Sequence, residues 1–123
     1  MTKKLLIVDD EDDILELLTV LFSDLDDCCV LRAHDGEEAM RMVRDDNPDI
    51  MLLDIQLPKV NGYEVCRAVK SDKTKKTKVL MLSGVAQNAD RAKARKAGAD
   101  AFITKPFNSN TLVKMVKEFL EKD

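Results

Sequence analysis

Nowhere in the 123 residues does an apolar run approach the roughly 20 residues needed to cross a bilayer, and Met1-Thr2-Lys3-Lys4 leads into a short strand without a signal-peptide pattern. The expectation is a cytoplasmic protein that makes no use of a membrane. Cysteine is scarce and odd in number: Cys28, Cys29 and Cys66 sit among apolar residues, which suits reduced thiols packed as small hydrophobes and excludes a disulfide scaffold. An excess of positive charge is also missing. With a net charge of -3 and 35% charged residues the chain has no basic face for DNA or RNA, so nucleic-acid binding by this segment is not expected. Repeats, linkers and low-complexity segments are absent, and the length suits one unit with its own core. Residues 1–123 are therefore expected to form a single domain, with no effector domain in the chain.

What is present is an alternation of short β-rich runs with longer stretches of helical period, the pattern of parallel strands joined by crossover helices in an α/β fold. Strands are expected near 3–8, 28–33, 49–53, 78–82 and 100–103. The first, third and fourth are nearly continuous apolar runs, as strands covered on both faces should be. Ile14, Leu17, Leu18, Leu21, Phe22 and Leu25 recur at helical spacing and predict one apolar stripe laid on the sheet. Further helices are expected near Gly36–Asp45, Gly62–Lys70, Asn88–Lys96 and Asn108–Glu121, with Gly98 as a helix stop.

Three aspartates stand where two of these strands run out: Asp9 and Asp10 after Leu5-Leu6-Ile7-Val8, and Asp54 after Ile50-Met51-Leu52-Leu53. In an open parallel sheet, ligands bind beyond the carboxyl ends of the strands, where the strand order reverses. If the order is 2-1-3-4-5, that point lies between the first and third strands, the two that end in these acids. Ser83 and Lys105 follow the fourth and fifth strands and add a hydroxyl and an ammonium. The lysine-rich stretch Lys70, Lys73, Lys75, Lys76, Lys78 leads into a strand, so it is placed at the opposite edge as a solvated loop.

Carboxylates gathered without basic neighbours repel one another and resist losing water, so they suit a hard divalent cation; Mg²⁺ takes oxygen ligands and keeps several waters. A carboxylate attacks a phosphoryl group only when the charge on the transferring oxygens is neutralised. The residues then divide the work: Asp54, alone at the central strand end, is the nucleophile; Asp9 and Asp10 help to hold Mg²⁺; Lys105 pairs with a phosphoryl oxygen; Ser83 donates a hydrogen bond.

The chain resembles the receiver domain of two-component response regulators from its first strand to its last helix. The resemblance is carried by Asp9-Asp10, by Leu53-Asp54-Ile55-Gln56-Leu57-Pro58 followed by Asn61-Gly62, by Leu82-Ser83-Gly84, and by Lys105-Pro106-Phe107. It implies a five-stranded parallel sheet in the flavodoxin-like order 2-1-3-4-5, doubly wound in three α/β/α layers. It also implies that Asp54 accepts a phosphoryl group from a histidine kinase or phosphotransfer protein. The Gln56 backbone carbonyl becomes a further metal ligand, the Lys105-Pro106 bond is cis, and Phe102 is a switch aromatic that turns inward as Ser83 moves. The downstream partner is a protein target or an effector domain absent here. Such a domain is a phosphoacceptor switch and not an enzyme, with self-phosphorylation and autodephosphorylation its only chemistry. Many receivers carry threonine at the position of Ser83, and the commoner loop reads Met-Pro-x-Met-Asp-Gly where this chain has Leu57-Pro58-Lys59-Val60-Asn61-Gly62. Neither departure removes a needed group.

Plainer roles suit several other residues. Glu11, Asp12 and Asp13 are expected to complement a helix macrodipole, and His34 to be a solvated turn residue. Met40, Met42, Met51, Met81 and Met115 read as core filler, and Arg91, Lys93, Arg95 and Lys96 as a solvated face. Phe102 by itself reads equally as core. Two other functions compete. A magnesium-dependent phosphatase of the haloacid dehalogenase type would need its nucleophile in an Asp-x-Asp motif at the first strand, and Asp9-Asp10-Glu11 does not supply it. A flavodoxin-like nucleotide binder would need a phosphate loop of backbone donors, and Asp9-Asp10-Glu11-Asp12-Asp13 is the reverse.

Overall fold

Apolar residues that alternate between two covered faces explain the architecture. In the computed structural model, which describes residues 2–84 and 88–121, the elements run β1 (Lys3–Val8), α1 (Asp12–Ser23), β2 (Cys28–Ala33), α2 (Gly36–Asp46) and β3 (Ile50–Asp54), then α3 (Gly62–Ser71), β4 (Lys78–Ser83), α4 (Asn88–Ala97), β5 (Ala101–Thr104) and α5 (Ser109–Glu121). All pairings are parallel, and the order is β2-β1-β3-β4-β5, as expected. Leu6, Val8, Met51, Leu53, Val79 and Met81 face one way, into a core closed by Ala39 and Val43 of α2, Val65 and Val69 of α3, and Ala94 of α4. Their neighbours Leu5, Ile7, Ile50, Leu52, Leu80 and Leu82 face the other way, onto Leu15, Leu18 and Phe22 of α1 and Leu112 and Val116 of α5. The period of two thus sorts one strand sequence into two cores and three layers.

β1 and β2 have the expected bounds, whereas β3, β4 and β5 end one residue later than expected, because Asp54 pairs with Leu82 and Ser83 with Thr104 in the ladder. Gly98, with φ of 96°, ends α4 as predicted: its N–H donates to the Arg95 carbonyl, and the Ala99 N–H donates to that of Ala94, the paired bonds of a Schellman cap. Asn108 caps α5 by accepting from the Thr111 N–H at 3.1 Å.

Four expectations change. In α1, Leu15, Leu18 and Phe22 form the buried stripe, while Leu17 is 53% and Val20 63% exposed. Leu15, Leu17, Leu18, Val20, Leu21 and Phe22 surround so much of the helix that spacing cannot say which side the sheet takes. Cys29 is exposed, since β2 is an edge strand, whereas Cys66 is buried and donates its thiol to the Ala97 carbonyl at 3.4 Å. The lysine-rich loop is only partly solvated. Lys70 Nζ lies 2.7 Å from Asp100, and Lys75 Nζ reaches the Arg44 carbonyl at the end of α2. Met51 and Met81 are fully buried, but Met40, Met42 and Met115 are only half-buried.

Candidate functional site

Each site residue is placed by the strand before it. Val8 ends β1, and the Asp9 N–H continues the pairing by donating to the Ala33 carbonyl at 3.2 Å, which buries Asp9 to 1% exposure. Asp9 Oδ1 then accepts from the Glu11 N–H at 3.0 Å, a turn that starts α1 and leaves Asp10 exposed. Asp54, 7% exposed, closes β3, and its Oδ1 accepts from the Gln56 N–H at 3.2 Å. The Ile55 N–H donates to the Leu82 carbonyl and the Lys105 N–H to that of Ser83, so the ends of β3, β4 and β5 are tied to one another in turn.

One carboxylate oxygen from each of Asp9, Asp10 and Asp54 lies within 4.8 Å of the other two. Lys105 Nζ stands 3.3 Å from Asp9 Oδ2 and 3.5 Å from Asp54 Oδ2. The fold therefore brings together the acids that the sequence singled out. Burial pushes the Asp54 carboxyl up to about 6; Lys105 opposes the rise and Asp9 adds to it. Burial works to lower the pKa of Lys105, but Asp54 and Asp9 together outweigh it and leave the ammonium raised. The Lys105 ammonium does not offset the desolvation of Asp54. An all-oxygen donor set, net negative and open at Asp10, fits a hard divalent cation.

Ser83 is buried at the end of β4, in register with Thr104, and the Lys105-Pro106 bond is cis. The side chain of Gln56 is exposed. Phe102 is half-buried, with the Arg91 guanidinium 4.9 Å above its ring centroid. Reading α4 as a solvated basic face missed that contact, since β5 follows α4 and only the turn at Gly98 brings them together. His34 lies outside the trio, 3.3 Å from Asp12 and 3.6 Å from Glu38.

A family model for the response regulator receiver domain matches residues 5–117. The chain belongs to the receiver domains of response regulators. This receiver is 37% identical to the Alkaline phosphatase synthesis transcriptional regulatory protein PhoP of Bacillus subtilis, over 99% of the chain and 50% of that protein. It matches a CheY-like response regulator receiver domain protein from Methanospirillum hungatei with a TM-score of 0.88 at 30% identity, over 98% of this chain and 95% of that one. The chemotaxis protein CheY4 of Vibrio cholerae is similar too, with a TM-score of 0.88 at 28% identity over 97% and 99% of the two chains. The receiver spans about half the length of the transcriptional regulators that it matches. Receiver domains are phosphoacceptor switches of two-component phosphorelay signalling and interact with histidine kinases or phosphotransfer proteins. Neither the phosphatase nor the nucleotide-binding alternative describes this family. Among the described residues no helix is long and apolar enough to cross a membrane.

Proposed function

We propose that Asp54 is the phosphoryl acceptor of this receiver and that Asp9, Asp10, Asp54 and the backbone carbonyl of Gln56 hold Mg²⁺. The observation that carries this reading is the trio of carboxylate oxygens within 4.8 Å, with Lys105 reaching two of the three acids. An Asp54 oxygen attacks the phosphorus of a phosphohistidine; the O–P bond forms as the P–N bond breaks, and the released imidazole nitrogen takes a proton. Mg²⁺ held by these residues would supply positive charge against the transferring oxygens. Lys105 leaves its pair with Asp54 for a phosphoryl oxygen, and the Ser83 hydroxyl donates to another. Raised only to about 6, Asp54 remains largely ionised near neutral pH and competent to attack. Attack by water on the phosphorus of the acyl phosphate breaks the O–P bond, returning the free carboxylate and releasing inorganic phosphate.

The switch is a shift between pre-existing arrangements. Ser83, drawn to the phosphoryl group, leaves room for Phe102 to turn inward. Phe102 borders a groove of about 290 Å³ shared with Arg91, Pro106, Phe107 and Met115, which its movement would reshape for a downstream partner. The test is incubation with Mg²⁺ and acetyl phosphate, followed by intact mass. One added phosphoryl group, lost in Asp54→Asn and in EDTA, supports the reading; an unmodified wild type that also fails to trap beryllofluoride overturns it.

A further inference from the structure

The loop after the acceptor strand contains a strained turn. The Val60 N–H donates to the Pro58 carbonyl at 2.9 Å, and Lys59 between them has φ of 69°. A three-residue hydrogen-bonded turn with positive φ at its centre is the rare, strained kind of γ-turn, and a lysine has a Cβ to crowd there. Such a conformation persists only where its surroundings over-determine it.

The start of α2 supplies those surroundings. Asp35, the N-cap, accepts from the Glu38 N–H at 2.8 Å through Oδ1 and sets Oδ2 3.6 Å from Lys59 Nζ; Glu37 Oε2 lies 3.8 Å from the same ammonium. Gly36 packs so tightly on the turn that a Cβ there would run into the Val60 carbonyl oxygen and stand 2.7 Å from Val60 Cβ. The loop is also closed at its base. The Gly62 N–H donates to the Ile55 carbonyl at 2.9 Å, and the Ile55 N–H is held by β4. With both ends pinned, displacement of the turn at 58–60 passes into Leu57 and Gln56.

We infer that Asp35, Gly36 and Lys59 form a clamp that positions the Gln56 carbonyl and thereby sets the affinity of the carboxylate trio for a divalent cation. They are positioning residues that act through the loop, and the inference rests on the metal site proposed above. The two ways in which Lys59 could influence a cation have opposite signs. As a nearby positive charge, its removal favours cation binding. As half of the clamp, its removal loosens a ligand and weakens binding.

The experiment is Mg²⁺ titration by calorimetry and amide NMR at fixed ionic strength, with metal-free thermal unfolding measured on the same samples. Lys59→Met and Lys59→Gly should weaken the Mg²⁺ Kd about threefold to tenfold, while Lys59→Arg stays near wild type. Lys59→Gly also relieves the positive-φ crowding, so it should unfold at or above the wild-type temperature while binding Mg²⁺ less tightly. A control at the far end of the sheet, Asp100→Asn, should lose stability and keep its Kd. Gly36→Ala should weaken binding most, but a methyl group there disturbs α2 itself, so the Lys59 variants decide. Lys59→Met and Lys59→Gly binding Mg²⁺ as tightly as wild type, or more tightly, overturns the clamp alone. A wild type that takes up no Mg²⁺ overturns the metal site and the clamp with it.

Discussion

Aspartates mark both ends of the sheet, and they are treated in opposite ways. At the amino end, Asp49 Oδ2 accepts from the Lys4 N–H at 2.7 Å, and Asp100 Oδ2 accepts from the Val79 N–H at 2.8 Å with Lys70 Nζ 2.7 Å away. Each carboxylate there extends a strand pairing through its side chain and has its own donor. At the carboxyl end three carboxylates each bring an oxygen within 4.8 Å of the others, and one ammonium reaches two of them. The first arrangement stabilises the fold; the second costs stability and leaves an acidic cluster. The difference lies in burial and in like charges brought together, not in the residue type.

The contrast breaks most completely if Asp54→Asn still takes up a phosphoryl group from acetyl phosphate, since complete loss is expected. The same variant should gain about 1–3 kcal/mol of metal-free stability near neutral pH, read by chemical denaturation in EDTA. The sign follows from a folded pKa of about 6, raised from 3.8. The contribution of Asp54 to stability is whole below the unfolded value and is lost as pH rises through about 6, so metal-free wild type should weaken across that window and Asp54→Asn should not.

Next in size is Lys105→Met. Losing the ammonium should slow acetyl phosphate transfer about a hundredfold while Mg²⁺ still binds, because one charged donor at the transferring oxygens is gone. Equal rates in wild type and variant would remove Lys105 from the chemistry. At the other end, Asp100→Ala should cost about 2 kcal/mol in urea denaturation by orphaning the Val79 amide and breaking the ion pair with Lys70, with phosphoryl uptake per folded molecule unchanged.

The smallest effect belongs to Asp35→Ala, which removes the α2 cap and should cost about 1 kcal/mol. The Glu38 amide and, to a lesser degree, Lys59 hold the Asp35 carboxyl below the usual range. A depressed carboxyl stabilises above its unfolded pKa and loses that contribution as pH falls through the folded one, so the gap between wild type and Asp35→Ala should close in acid.

The strand-end acids were legible in the sequence because each follows an uninterrupted apolar run, and such a run signals both a covered strand and where it stops. Ser83 was legible for the same reason, and Lys105 from its place after the short strand Ala101-Phe102-Ile103-Thr104 and before Pro106. Leu15 and Leu17 exchanged places because an almost wholly apolar helix carries no information about which side meets the sheet. The pair Lys70 with Asp100, the contact of Arg91 with Phe102, and the packing of Gly36 on Val60 were invisible, since each joins residues on different elements whose meeting depends on the assembled layers.

By itself, then, the sequence determined the element order, the two faces of each central strand and the identity of the acids, all of which depend on local periodicity and on where hydrophobicity stops. Tertiary structure alone decided that oxygens of Asp9, Asp10 and Asp54 come within 4.8 Å of one another, that Asp54 is buried enough to raise its pKa, and that α2 packs on the loop beyond it. Charge repulsion, desolvation and steric closure are set by distances through space, and those distances exist only once β1 and β3 lie side by side.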